Sequence, residues 1–356
     1  MLSGLRDGLK DAAATIFAGG AARKVRANFP IPVVEDSPEH ETARDAYADA
    51  AEIVVARDFD GFLTLLRGQL ASRETTGTGL RLTEPSLDAF YAGIHVTEHD
   101  GWALDQIMQP LRDWYARAGS DPDVAALVAR ALQIQAHSER GDDWAENVSR
   151  HQWQAMSDLL GEAQEMLVAT QAAGKSRELW HRTWFKGGLL DAADPQDLRA
   201  RFEEFVVFDP GNVNTYFDRA QQLLPRWYGS YEEIEHLAQQ SIERTRDEMG
   251  AALYSEIYLF VMDYEDMNDT HASWDLLVLG FQDGMEKFST DLALNKFTDM
   301  AARCGHQEMT RNLFNEMPEL RLDAWSHPND PFEAYAWAHD SGPWPYSPER
   351  LARRLI

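Results

Sequence analysis

The sequence predicts an all-α fold of antiparallel helical hairpins, and three observations carry that expectation. Apolar residues recur three and four apart through most of the chain, period-2 runs rich in β-branched residues are nearly absent, and short breakers separate the stripes. Such spacing marks amphipathic helices. Helices joined by short turns, with no strands to alternate against, bury their apolar faces on one another. At 356 residues and 44% hydrophobic, the chain can build one large or two modest cores.

Along the chain, residues 1–38 are expected to be an N-terminal arm and Pro-rich linker. Arg6, Lys10, Arg23, Lys24 and Arg26 outweigh Asp7 and Asp11 there. The only uncharged stretch, Ala12 to Ala22, is mostly Ala and Gly, unlike the apolar run of a secretory signal. Pro30, Pro32 and Pro38 fix φ and bias their predecessors away from helix. A continuous helical domain is expected over 39–340 and a C-terminal tail over 341–356.

Within the domain, Ala46, Ala50, Ile53 and Val54 make a first stripe; Asp58 and Asp60 sit in the following turn, placed to cap a second with Phe62, Leu65 and Leu66. Leu104, Ile107, Met108, Leu111, Trp114 and Tyr115 form one helix face. Asp121-Pro122, a capping residue with proline at the first helical position, opens the stripe from Val124 to Ile134. A longer stripe runs from Val148 to Leu167 and is ended by Gly174. Leu198/Phe202/Phe205, Tyr216/Phe217/Ala220, Ile234/Leu237/Ala238, Leu253/Ile257/Val261, Trp274/Leu277/Phe281, Phe297/Met300/Ala301 and Leu313/Phe314/Met317 complete the series.

Between two of these helices lies Leu224-Pro225-Arg226-Trp227-Tyr228-Gly229-Ser230. Proline stops the first helix, Gly229 permits a positive φ, and the Ser230 hydroxyl caps the second. Trp227 is then expected to fold back into the groove between the helices, with Arg226 pairing nearby carboxylates. Pro225, Arg226, Trp227, Gly229 and Ser230 are thus the predicted structural hub.

The segment Asn212 to Thr245 places Tyr216, Phe217 and Ala220 in one helix and Ile234 and Ala238 in the next. That resembles the small-residue packing of a tetratricopeptide (TPR) unit, with a longer turn. Arg57-Asp58-Phe59-Asp60, Gly79-Leu80-Arg81-Leu82 before Phe90-Tyr91, Glu139-Arg140-Gly141 before Trp144-Ala145, the 224–230 turn, and Asn295-Lys296-Phe297 through Cys304-Gly305 to Ala324-Trp325 follow in order. On these landmarks the chain, from about Ala43 to Ala338, is similar to a bacterial family of TPR-like helical proteins known mainly as a domain of unknown function. The resemblance implies a divergent TPR-like array, α-solenoid-like, and carries over no catalytic residue.

His95-Val96-Thr97-Glu98-His99 has the form H-x-x-E-H. On a helix its histidines share a face and could hold zinc while Glu98 activates water, as in the inverted zinc peptidases. Those enzymes also need a third ligand, for which Glu162, Glu165 and Glu178 are candidates, and a sheet, for which no signal exists. Asp100-Gly101 marks a helix end, where an exposed histidine pair is the simpler reading. Val54 to Gly61 has the Asp-x-Asp form of haloacid-dehalogenase-type phosphatases, but helical spacing surrounds it where a strand is needed. Asp263 to Asp269 is rich in carboxylates without the order of a calcium loop. Cys304 reads as a packed thiol and the tryptophans as core. No phosphate-cradling glycine loop or dinucleotide fingerprint occurs. No cofactor is expected.

Charge points elsewhere. The net charge is −26, which disfavours nucleic acid or an anionic membrane as partner. From Tyr231 to Asp340, 23 acidic residues face 7 basic ones, suited to a basic protein partner. A single cysteine forms no internal disulfide, consistent with a cytoplasmic protein. The expected function is a non-enzymatic protein-binding scaffold with an acidic surface, in the manner of an immunity or antitoxin-like protein masking a basic partner. The alternative is a zinc-dependent hydrolase using His95, Glu98 and His99.

Overall fold

The computed structural model describes residues 25–26, 29–95, 104–141, 143, 147–190, 194–227, 229–326, 330–340 and 344. Among them the fold is all-α, with one two-residue strand pair. The expected tail, Trp344 apart, and the arm up to residue 24 lie outside the described residues. The chain divides into two compact units: a central one of Ala43–Glu74 and Arg81–Thr215, and a flanking one of Met1–Thr42, Thr75–Leu80 and Tyr216–Ile356, named for their places in the sequence.

The central unit carries α1 (Glu41–Val55), α2 (Phe59–Ser72), α3 (Thr83–His95), α4 (Leu104–Ala118), α5 (Pro122–Arg140), α6 (Arg150–Gly174), α7 (Glu178–Leu190) and α8 (Pro195–Val206). The helix starts follow the sequence. The Asp58 carboxylate accepts from the Gly61 N–H at 2.9 Å, and Asp121 caps α5 with Pro122 behind it. Ser149 and Gln152 form a reciprocal capping box at α6. Helix α5 is the axis. Ala125, Ala126, Ala129 and Ala131 are small enough for neighbours to approach closely, and α3, α4, α6 and α7 all pack on it. Phe62 stacks on Phe90 at 4.7 Å, and the Trp114 indole N–H reaches Asp60 at 2.8 Å.

Charged side chains inside this unit are paired. Asp123, 1% exposed, accepts from Arg67 Nε at 2.8 Å and Arg177 Nε at 3.0 Å. Asp209 is gripped by Arg81 through Nε at 3.0 Å and Nη2 at 2.7 Å, while Arg73 bridges Glu178 at 2.8 Å and Asp209 at 3.1 Å. Glu84 accepts from Arg182, Asn212 and Asn214.

Helix α9 (Val213–Gln222) leads into the flanking unit, whose helices are α10 (Tyr231–Met249), α11 (Ala252–Val261), α12 (Trp274–Lys287), α13 (Thr290–Arg303), α14 (Gln307–Glu316) and α15 (Asp330–Ala338). From α10 to α15 each packs on the next. Glu235 of α10 accepts from the hydroxyls of Tyr254 at 2.8 Å and Tyr258 at 2.5 Å, tying α10 to α11.

The linker expected up to residue 38 is, from Phe29, built into this unit. Val33–Val34 (β1) pairs in parallel with Leu320–Arg321 (β2), and the Leu320 N–H donates to the Pro32 carbonyl at 2.8 Å. Proline lacks a donor but not an acceptor, and its fixed φ suits an extended edge. Phe29 packs edge-on against Phe332 at 5.0 Å and Tyr335 at 4.9 Å, and Ser37 Oγ donates to Asp323 at 2.6 Å. No described helix is long and apolar enough to cross a membrane.

Candidate functional site

The 224–230 turn is built differently from the expected hub. Leu223 and Leu224, 7% and 0% exposed, fill the core at the end of α9. Pro225–Trp227 then forms a single 3-10 turn, closed by the Trp227 N–H on the Leu224 carbonyl at 2.8 Å. The leucines take the buried positions at this turn, and Trp227 is 58% exposed. It is a presented side chain, not a buried hub.

Gly229 is required by a close approach of the chain: a Cβ on it would sit 2.2 Å from the Leu223 carbonyl oxygen. The chain passes too close for any side chain. Ser230 caps α10 as expected, accepting from the Glu233 N–H at 3.2 Å.

Arg226 does pair a carboxylate. Its Nε and Nη2 donate to Glu265 Oε1 at 3.2 and 3.1 Å, Nη2 also donates to the Tyr264 carbonyl, and the guanidinium lies 5.6 Å from the centre of the Tyr264 ring. The other Glu265 oxygen accepts from the Tyr231 hydroxyl at 2.8 Å. Burial and the Glu265 carboxylate push that phenol up to about 12, so it remains a donor at neutral pH. One carboxylate therefore clamps the turn on both sides of Trp227. Sequence reasoning missed Glu265 and Tyr231 because Glu265 lies 39 residues from Arg226 and sits among the Asp263–Asp269 carboxylates.

The flanking unit is acidic along α10, where Glu232 and Glu233 at its start and Glu243, Asp247 and Glu248 in its last two turns are exposed, against Arg246 alone among exposed cations there. Asp263 and Asp269, beyond α11, are exposed as well. The His271 Nδ1 lies 3.7 Å from Glu232 Oε1.

Of the H-x-x-E-H string, Glu98, His99 and the His95 side chain lie outside the described residues. Among the described residues no group of three His, Cys, Asp or Glu side chains could hold a metal ion. Asp58 caps α2 and Asp60 receives Trp114, while Asp266 accepts from the Asn268 N–H at 2.9 Å. Burial pushes the Cys304 thiol up to about 12, and His306 stacks on Trp274 at 3.8 Å. Trp114, Trp180 and Trp325 are core, whereas Trp153 and Trp227 are exposed. No family model, no curated protein and no solved structure matches this chain.

Proposed function

We propose that the protein is a non-enzymatic protein-binding scaffold, immunity- or antitoxin-like, that receives a basic protein on its acidic flanking unit with Trp227 as the aromatic anchor. The observation that carries this reading is an exposed tryptophan held in a fixed turn by Arg226, Glu265 and Tyr231. Tryptophan is among the commonest residues to dominate the energy of an interface. One already held in place loses little freedom on binding. The excess of carboxylates from Tyr231 to Asp340 steers a basic partner and repels acidic ones. The resemblance to TPR-like proteins points the same way.

The test is affinity capture from the native host with wild type and Trp227→Ala in parallel, followed by direct binding of the recovered protein. A basic protein that binds the wild type, binds Trp227→Ala at least about thirtyfold more weakly and is released by salt is the expected result. Equal binding to both, or a partner that is acidic, overturns the reading.

A further inference from the structure

We propose that the flanking unit carries a peptide-binding groove, formed by β2 with Phe314, Phe332 and Tyr335. It takes an extended segment in which an aromatic residue is followed by proline and β-branched residues. Residues 29–34 fill it as a tethered self-ligand, and the partner is a protein that displaces them with a segment of the same chemistry. The groove shares no residue with the Trp227 turn and stands without it.

The groove is complete without its occupant. Asn295 of α13 is fully buried and spends its whole amide group on the inner edge of β2 and its surroundings. It donates to the Asp291 and Glu319 carbonyls at 2.9 and 3.0 Å. It accepts from the Arg321 N–H at 2.9 Å and the Trp325 indole at 3.3 Å. One edge of β2 is thus closed by a side chain, which leaves the opposite edge to an extended peptide. Phe314 stacks on Trp325 at 5.9 Å and meets Tyr335 edge-on at 5.3 Å, so residues 314–335 fix the aromatic floor among themselves.

Residues 29–34 show what the groove reads. The Phe29 ring enters edge-on against Phe332 at 5.0 Å and Tyr335 at 4.9 Å, with Phe314 at 6.4 Å. Val33 and Val34 pair in parallel with Leu320 and Arg321, and the Pro32 carbonyl accepts from the Leu320 N–H at 2.8 Å. Pro30 and Pro32 favour the extended form and bring no N–H of their own to satisfy. The Arg26 guanidinium lies 5.4 Å from the Phe332 ring centre, so a cation upstream of the aromatic residue suits the groove as well. The attachment is slight: the ladder is two residues long, Phe29 is half-buried, and Pro30, Pro32 and Val33 are exposed. Firm anchoring lies beyond the exposed Glu35 and Asp36, where Ser37 Oγ donates to Asp323 and Glu39 accepts from Ser289 Oγ, both at 2.6 Å. Residues 29–34 can therefore leave while 37–39 stay in place. The tether holds them at a high effective concentration against any competitor.

A fluorescein-labelled peptide with the sequence from Phe29 to Asp36, titrated against the full chain by fluorescence anisotropy, tests this. Phe29→Ala in the protein removes the anchor of the self-ligand and leaves every groove residue in place. That variant should bind the peptide at least about tenfold more tightly than wild type does. The same peptide with its phenylalanine changed to alanine should not bind. Circular dichroism verifies the fold, and Phe29→Leu replaces Phe29→Ala where the latter does not fold. Equal affinity of wild type and variant, no saturable binding to the variant, or equal binding of the two peptides overturns the proposal. Sedimentation of wild type across concentrations tests the rival occupant. A dimer that Phe29→Ala abolishes means that a second copy fills the groove, and that result also overturns the proposal.

Discussion

Glu84 and Arg182, 98 residues apart, face each other as a two-pronged ion pair with the carboxylate only 4% exposed. A carboxylate so placed remains ionised only because every oxygen is met. The Arg182 charge, with Arg182, Asn214 and Asn212 as donors, holds Glu84 down to about 2 against the opposing effect of burial.

Removing one partner leaves the other charged and buried. Arg182→Met should destabilise the protein by about 3–5 kcal/mol in urea denaturation. A Glu84→Gln/Arg182→Met double variant should lose less than the two single losses combined. The pH dependence has a definite sign. The folded pKa of Glu84 lies below its unfolded value, so its contribution is complete above about 4.5 and is lost as pH falls toward about 2. Glu84→Gln should flatten that part of the stability curve. An unaltered acid limb would contradict the role given to Glu84.

Glu178 behaves in the opposite sense. Burial and the Asp209 carboxylate push it up to about 7, against the opposing charges of Arg73 and Arg182. A carboxyl that holds its proton more tightly when folded stabilises at low pH and loses that contribution as pH rises from about 4.5 through about 7. Glu178→Gln should therefore be more stable than wild type at pH 8, by no more than about 3 kcal/mol. The two should converge near pH 5. Thermal melts across this range measure the difference, and a constant offset would rule out titration of Glu178 as its source.

Two glycines give opposite expectations from the same substitution. At Gly229 a Cβ would strike the Leu223 backbone, so Gly229→Ala should destabilise by about 1–3 kcal/mol. At Gly161, in the middle of α6, a Cβ meets nothing within 4 Å, and Gly161→Ala should stabilise by about 0.5–1 kcal/mol. Denaturant midpoints decide both.

The legible part of this fold was local. Asp121 before Pro122 and Ser230 before α10 announce helix starts because a cap is written within three residues. The stripes locate the core because burial follows the helical period, and Met300, Phe314 and Val128 are all buried. Contacts set by distant residues were not legible. Nothing near Pro32 points to Leu320, and nothing near Glu84 points to Arg182. Trp227 has the composition of a core residue, but Leu223 and Leu224 are the residues buried at this turn.

Trp227 supplies the sharpest test, because a buried hub and a presented anchor answer one substitution oppositely. Truncating a buried tryptophan costs about 3–5 kcal/mol, whereas an exposed one away from packing changes stability by no more than about 0.5 kcal/mol. At 58% exposure, with Leu223 and Leu224 holding the core beneath the turn, Trp227→Ala should melt like the parent. Its partner affinity should fall by at least about 2 kcal/mol, the loss seen when a dominant interface residue is truncated. Glu265→Ala separates anchor from clamp. It removes the carboxylate partner of both Arg226 and Tyr231 and leaves Arg226 the Tyr264 carbonyl, so the indole is retained but held less firmly. That variant should bind more weakly than wild type and more tightly than Trp227→Ala, because only the ordering of Trp227 must then be supplied on binding. A Trp227→Ala protein that melts well below the parent would return the tryptophan to a structural role.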